Sequence, residues 1–243
     1  GPWMPGVLHH NGISADVFFS YIYSMQGIHG ITTDVSATYI ILFIAFACFL
    51  NSSKAGDFFN DLSIALVGWA RGGPAKVAVV SGVLFGTISG SAVGNVVASG
   101  MITIPMMRRV GYDRSTAAAI EAPSSTGGQI TPPIMGAAAF LMVEFLNVSY
   151  TSVILAAIVP AFMHFFGVFC QVHFEAKRTG MRGLRADELP NAAEVLRTGW
   201  QTVMPLAALL LILFSGFTPY ETIHWASAAA TRRRGRNAYG ASA

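Results

Sequence analysis

Two polar interruptions in an otherwise apolar chain carry the residues able to do chemistry. In the first, Ser89, Gly90, Ser91 and Asn95 combine short side-chain oxygens with glycine-exposed backbone. In the second, Ser124, Ser125, Thr126, Gly127, Gly128 and Gln129 do the same, and Pro132 and Pro133 follow. Unwound backbone at such places offers carbonyl and hydroxyl oxygens that replace the hydration shell of a small hard cation. A helix starting after each break would aim its amide-positive N-terminus at the same point, which suits an anionic group. Glu121, just ahead of the second break, is the candidate for titrating with a coupling proton, because an intramembrane carboxylate is functional by default. For the first break a plainer reading competes, in which Gly86, Gly90, Gly94 and Ser91 are small residues that let helices approach.

The elements that must position these residues are membrane elements. The chain has 243 residues, 53% apolar and 11% charged, against roughly 25% charged in a soluble domain. Its mean hydropathy is +0.54. That composition excludes a disordered chain, a coiled coil and a nucleic-acid module, whose affinity would come from a basic surface. The net charge of +3 matters less than where the basic residues fall, since they flank the ends that stay in the cytoplasm.

Residues 35–50 read as a first span, and residues 58–70 as a helix too short to cross about 30 Å of hydrocarbon. Between Lys76 and Arg108 runs an uncharged stretch of about thirty residues, too long for one crossing and too short for two. With basic residues at both ends and Gly, Ser and Thr in its centre, it predicts a re-entrant helical hairpin over 76–108. A broken helix over 117–143 follows, because Pro123, Gly127, Gly128, Pro132 and Pro133 interrupt a continuous helix. A span over 151–174, a cytoplasmic linker over 175–199 and a last span over 200–220, kinked at Pro205, come next. Residues 1–70 read as scaffold or arm helices, 71–150 as half of a transport domain, and 221–243 as a patternless basic tail. The fold class is thus all-α and polytopic.

Enzyme signals are missing. No Lys-Ser or Lys-Thr follows the glycines of residues 86–94, and no Gly-x-Ser-x-Gly elbow occurs, so neither a phosphate loop nor a hydrolase nucleophile is present. His164 and His173 are nine apart, off a common helical face, and read as packing residues. Asp113 beside Arg114 reads as a solvated turn with a surface ion pair. Cys48 and Cys170 sit in separate apolar runs and read as small buried hydrophobes.

The stretches GGPAKVAVVSGVLFGTISGSAVGNVV, TIPMMRRVGY and EAPSSTGGQITPPIMGAAAFLMVEFLNVSY resemble the large permease subunit of tripartite ATP-independent periplasmic (TRAP) transporters. More narrowly, they look like the fused permeases served by TAXI-type binding proteins. The resemblance implies one half of an inverted-repeat elevator transporter in a bacterial inner membrane. It implies organic-acid uptake coupled to a sodium or proton gradient, with no further cofactor. It also implies partners: a periplasmic TAXI-type binding protein, a small membrane subunit or fused equivalent, the surrounding lipid, and a C-terminal half supplying a second ion site. Ser89, Gly90, Ser91 and Asn95 match the family's hairpin tip, and Thr126, Gly127, Gly128, Pro132 and Pro133 its broken helix. The implied Na+ ligands are Ser89, Ser91, Asn95, Thr126 and Gly127, and Ser125, Gly128 and Gln129 join the ion and substrate surround. Gly94 stands where alanine is expected, and Pro123 with Ser124 where two small residues are. The rival readings are a channel-like pore or a structural membrane subunit, and a truncated reading frame is expected from the tail.

Overall fold

The computed structural model describes residues 5–8, 12–52 and 55–215. The tail expected over 221–243 and the end of the span expected over 200–220 lie outside the described residues. What is described is helical: α1 (Ala15–Ile22), α2 (Ile31–Val35), α3 (Ile41–Ser52), α4 (Ala55–Val67), α5 (Gly73–Ser89), α6 (Ala92–Arg109), α7 (Arg114–Thr126), α8 (Ala137–Leu146), α9 (Tyr150–Arg178) and α10 (Ala192–Phe214). A π-helical stretch, Ser36–Ile40, joins α2 to α3. Among the described residues two helices, Ile31–Cys48 and Tyr150–Arg178, are long and apolar enough to cross a membrane. A third crossing arises if the bent pair Ala186–Gln201 and Val203–Phe214 is one span. Its 62° bend falls one turn ahead of Pro205, whose missing N–H and bulky ring disrupt the helix at residue 201. The polytopic, all-helical class therefore holds.

α5 and α6 form the hairpin. α5 has Pro74 in its first turn and ends at Gly90, whose φ of +58° is a left-handed terminus that glycine adopts without penalty. One residue later Ser91 caps α6, its hydroxyl accepting from the Gly94 N–H at 3.1 Å. With 17 and 18 residues, the arms are about 26 and 27 Å long, just short of a full crossing. Lys76 was expected to mark the charged flank, but it is buried with Nζ 5.2 Å from the centre of the Phe169 ring. Arg71, exposed just before α5, takes that role. A long apolar stem folded over an aromatic face is how a lysine near a helix end is accommodated.

Two apolar clusters hold these helices. The larger gathers Phe43, Phe46, Phe59, Phe85, Phe140 and Leu209 from α3, α4, α5, α8 and α10. Within it the Phe140 ring stands 4.8 Å from Phe43 and 5.0 Å from Tyr150. The smaller joins α5, α6, α7 and α9 through Ala75, Met107, Ala117, Ile120, Phe165 and Val172. On the outer face of α9, Leu155, Val159, Phe162 and Phe166 are exposed, a continuous apolar stripe fit for lipid. Helices also take up both ends of the linker expected over 175–199, since α9 runs to Arg178 and α10 begins at Ala192.

Asp113 is no surface ion-pair residue. It is the N-cap of α7, its carboxylate accepting from the Ser115 and Thr116 N–H groups at 3.0 and 3.2 Å. Hydrogen bonds from Thr116, side chain first, hold its carboxyl below the usual range. A carboxyl lowered in the folded state stabilises at neutral pH, and the contribution fades as pH falls through its folded value. Asp113→Ala is therefore expected to lower the melting temperature at neutral pH slightly more than Asp113→Asn, and the difference from wild type should shrink in acid. Thermal melts of detergent-solubilised protein across pH check this.

Candidate ion site at the hairpin tip and the broken helix

Proline at 123 was expected to open the break. Instead α7 continues through it to Thr126, and the backbone leaves the α-helix at Gly127. Proline forfeits one N–H bond to Ala119, but the Pro123 carbonyl keeps two partners: the Gly127 N–H and His164 Nε2, the latter at 3.0 Å. From Gly127–Ile130, a short 3-10 turn, the chain passes through a second turn over residues 132–134 before α8. The Gly136 N–H closes this stretch on the Gln129 carbonyl at 2.7 Å. The Pro132–Pro133 bond is cis, and Met135 sits at φ +55°. On the far side, the Tyr150 hydroxyl contacts the Pro133 and Ile134 carbonyls, each at 2.8 Å.

The hairpin tip docks on this unwound segment. A Cβ on Gly86 would lie 2.5 Å from the Gly128 Cα, and one on Gly90 would overlap the Met135 carbonyl. The competing reading of Gly86 and Gly90 as close-approach positions thus holds for these two. It does not hold for Gly94, whose added Cβ would meet only Ser91, at 3.3 Å. The N-termini of α6 and α8 come to lie near one another, because Gly90 packs on Met135 and Gly136.

Asn95 ties tip to break. Fully buried, it accepts from the Ser89 hydroxyl through Oδ1 at 2.5 Å and donates from Nδ2 to the Ser125 carbonyl at 3.3 Å. Its amide also fills the space where Gly128 lacks a side chain. The structure thus brings together Ser89, Asn95, Ser125 and Gly128, with Gly90 against the start of α8. Other predicted residues stand apart. Ser91 is exposed and spent on its cap; Thr126 is exposed and bonds the Ala122 carbonyl at 2.7 Å. Gln129 is exposed and Pro132 half-buried, while Gly127 is buried against His164 and Phe165.

Glu121 lies one helical turn from Ser125, 1% exposed. Its Oε1 accepts from Ser99 Oγ at 2.6 Å and Ser125 Oγ at 3.0 Å, and Oε2 from Thr103 Oγ1 at 2.5 Å. Among the described residues the one ion pair is Arg178 with Glu175, at 2.9 Å, so hydroxyl dipoles rather than a cation surround this carboxylate. Sequence reasoning missed Ser99 and Thr103. Their signal was the spacing Asn95, Ser99, Thr103, every fourth residue of a helix and hence one polar stripe, facing the Glu121 and Ser125 pair of α7. Tyr150 was also missed, and His164 was read only as packing.

The family described as "Tripartite ATP-independent periplasmic transporter, DctM component" matches residues 13–231. The C4-dicarboxylate TRAP transporter large permease protein DctM of Vibrio cholerae is 29% identical over 189 residues, covering 75% of this chain and 40% of that protein. The sialic acid TRAP transporter large permease protein SiaM of the same organism is 24% identical, over 71% of this chain and 40% of its own. The ectoine TRAP transporter large permease protein TeaC of Halomonas elongata is 29% identical, over 54% of this chain and 31% of its own. The chain spans less than half the length of these curated relatives.

Proposed function

This chain belongs to the DctM component family of tripartite ATP-independent periplasmic transporters, and on that premise we propose that it supplies the hairpin and broken helix of a permease taking up organic acids by sodium symport. The single observation that carries the reading is the Asn95 junction. There a hairpin tip, an unwound segment and two helix N-termini meet in an oxygen-rich place around the buried Asn95, with the Glu121 carboxylate behind it on the Ser125 hydroxyl. Sodium would find carbonyl and hydroxyl oxygens around Ser89, Asn95, Ser125 and the glycines of residues 127–128, and a substrate carboxylate the amide-positive helix ends. Two of the relatives' names, C4-dicarboxylate and sialic acid, are carboxylates, which favours an organic anion.

In this reading the protein sits in the inner membrane and receives substrate from a TAXI-type periplasmic binding protein. A small membrane subunit, or its fused equivalent, flanks it, and a second permease half completes the site. The domain moves elevator-fashion. A second reading, proton coupling through Glu121, is favoured by the burial of that carboxylate without a cationic partner. The test is uptake of a labelled C4-dicarboxylate into liposomes holding the complete permease and its binding protein. With an inward sodium gradient, Asn95→Ala should reduce uptake at least about tenfold, the order expected when two buried hydrogen bonds are lost. Uptake driven by a pH gradient alone and indifferent to Asn95→Ala selects the proton reading.

A further inference from the structure

Glu121 is a buried carboxylate without a counter-ion. It is 1% exposed, and among the described residues no Lys, Arg or His pairs with it. Lys76 of α5 lies over the Phe169 ring, His164 of α9 bonds the Pro123 carbonyl, and Arg108, Arg109 and Arg114 are exposed. A charge so placed is costly until donors or a cation compensate it. Three hydroxyls do so in part, and one of them, Ser125, belongs to the Asn95 junction. Three successive hydroxyls on α7 each reach four residues back. Those of Ser124 and Thr126 donate to the Ile120 and Ala122 carbonyls, both at 2.7 Å, whereas Ser125 donates to the Glu121 carboxylate at 3.0 Å. A hydroxyl has one proton, so this bond commits it and leaves the oxygen to act only as an acceptor. Donation to a carboxylate also polarises that oxygen more than donation to a carbonyl would. From the other side Asn95 Nδ2 donates to the Ser125 carbonyl, so both oxygens of residue 125 are held in place.

We propose that Glu121 is a positioning residue of the ion site: a fixed negative charge that commits the Ser125 hydroxyl as an acceptor and raises sodium affinity at the Asn95 junction without itself touching the ion. Bound sodium supplies the counter-charge that the protein leaves out. Ser99 and Thr103 hold the carboxylate in register with Ser125 and take no part in binding.

The inference rests on the sodium reading above, and its test separates the two. The melting temperature of the complete permease in detergent is followed against sodium chloride, with choline chloride holding the ionic strength constant, and its rise gives the apparent sodium Kd. Glu121→Gln, of the same shape but neutral, should raise that Kd at least about tenfold, because a unit charge roughly one helical turn away acts through an effective permittivity of about 20. Its uptake rate at saturating sodium should change much less. Glu121→Asp restores the charge and should bring the Kd back to within about threefold of wild type. Ser99→Ala weakens the cage while keeping the charge, so it should lower the melting temperature and leave the Kd in place. A wild-type Kd in Glu121→Gln, or a Kd in Ser99→Ala as high as in Glu121→Gln, would overturn the inference and leave sodium symport standing. Should Glu121→Gln not fold, Ser125→Ala removes the oxygen that Glu121 positions. Its Kd should rise by a similar factor, and an unmoved Kd would overturn the inference. A wild type whose melting is indifferent to sodium removes the sodium reading and this inference together.

Discussion

Gly86→Ala is expected to abolish uptake and to lower the melting temperature. The added carbon would lie 2.5 Å from the Gly128 Cα and 3.1 Å from the Thr131 hydroxyl. The first of these neighbours is backbone, so no flexible chain end can yield, and the tip must lift from the unwound segment. Inserting a methyl into a packed core costs about 1–3 kcal/mol, and a backbone clash belongs at the upper end of that range. Lifting the tip also withdraws Asn95 from the Ser125 carbonyl, which couples the packing defect to the candidate ion site. Gly167→Ala is the matched control: nothing lies within 4 Å of its added Cβ, and alanine is the better residue in a long helix. Melts and uptake on the two variants side by side check the contrast.

Glu121→Leu is the second large effect. It leaves the Ser125 hydroxyl without its carboxylate partner in a fully buried place. Ser99 and Thr103 lose less, because their hydroxyls also reach the Asn95 and Ser99 carbonyls at 2.8 and 3.1 Å. A branched apolar chain must then fit among three hydroxyls, and the loss of charge-assisted bonds plus an orphaned donor amounts to about 3 kcal/mol. Glu121→Gln retains a carbonyl acceptor and should lose less than half as much. Because the four side chains act as one network, Glu121→Leu combined with Ser99→Ala should cost less than the sum of the two. Additive melting shifts would mean that the cage is not a unit.

What the sequence made legible was the local chemistry of glycine and proline. The tip at Gly90 and the opening at Gly127 follow from residues that end helices, so the hairpin and the broken helix could be read without knowing any neighbour. Pro123 shows the limit of that reasoning. A proline costs one backbone bond, and α7 runs on through it with His164 on its carbonyl, a residue 41 positions away in sequence. The Glu121 cage was half legible: the fourfold spacing of Asn95, Ser99 and Thr103 marks a polar stripe, yet which helix it faces depends on the register of α6 on α7. Gly86 was legible only as a small residue that lets helices approach, and that the Gly128 backbone is what it meets follows from packing, not from its own neighbours in sequence. Lys76 was misplaced because charge in a sequence suggests solvent, whereas a phenylalanine ring can receive a lysine. Asp113 is exposed, as a solvated turn requires, and what went unread was its role as the N-cap of α7.

The central claim is that α5 and α6 enter and leave on one side and present their tip to the broken helix. Its most direct measurement is sided labelling of single cysteines at Arg71→Cys and Arg109→Cys, both exposed, in membranes containing the complete permease. A cysteine at Gly73 would be a poor reporter, since its Cβ would collide with the Gly68 carbonyl. A membrane-impermeant maleimide should label both positions from the cytoplasmic face and neither from the periplasmic face. Labelling of one from each face would make the pair a crossing rather than a re-entrant hairpin and would contradict the account.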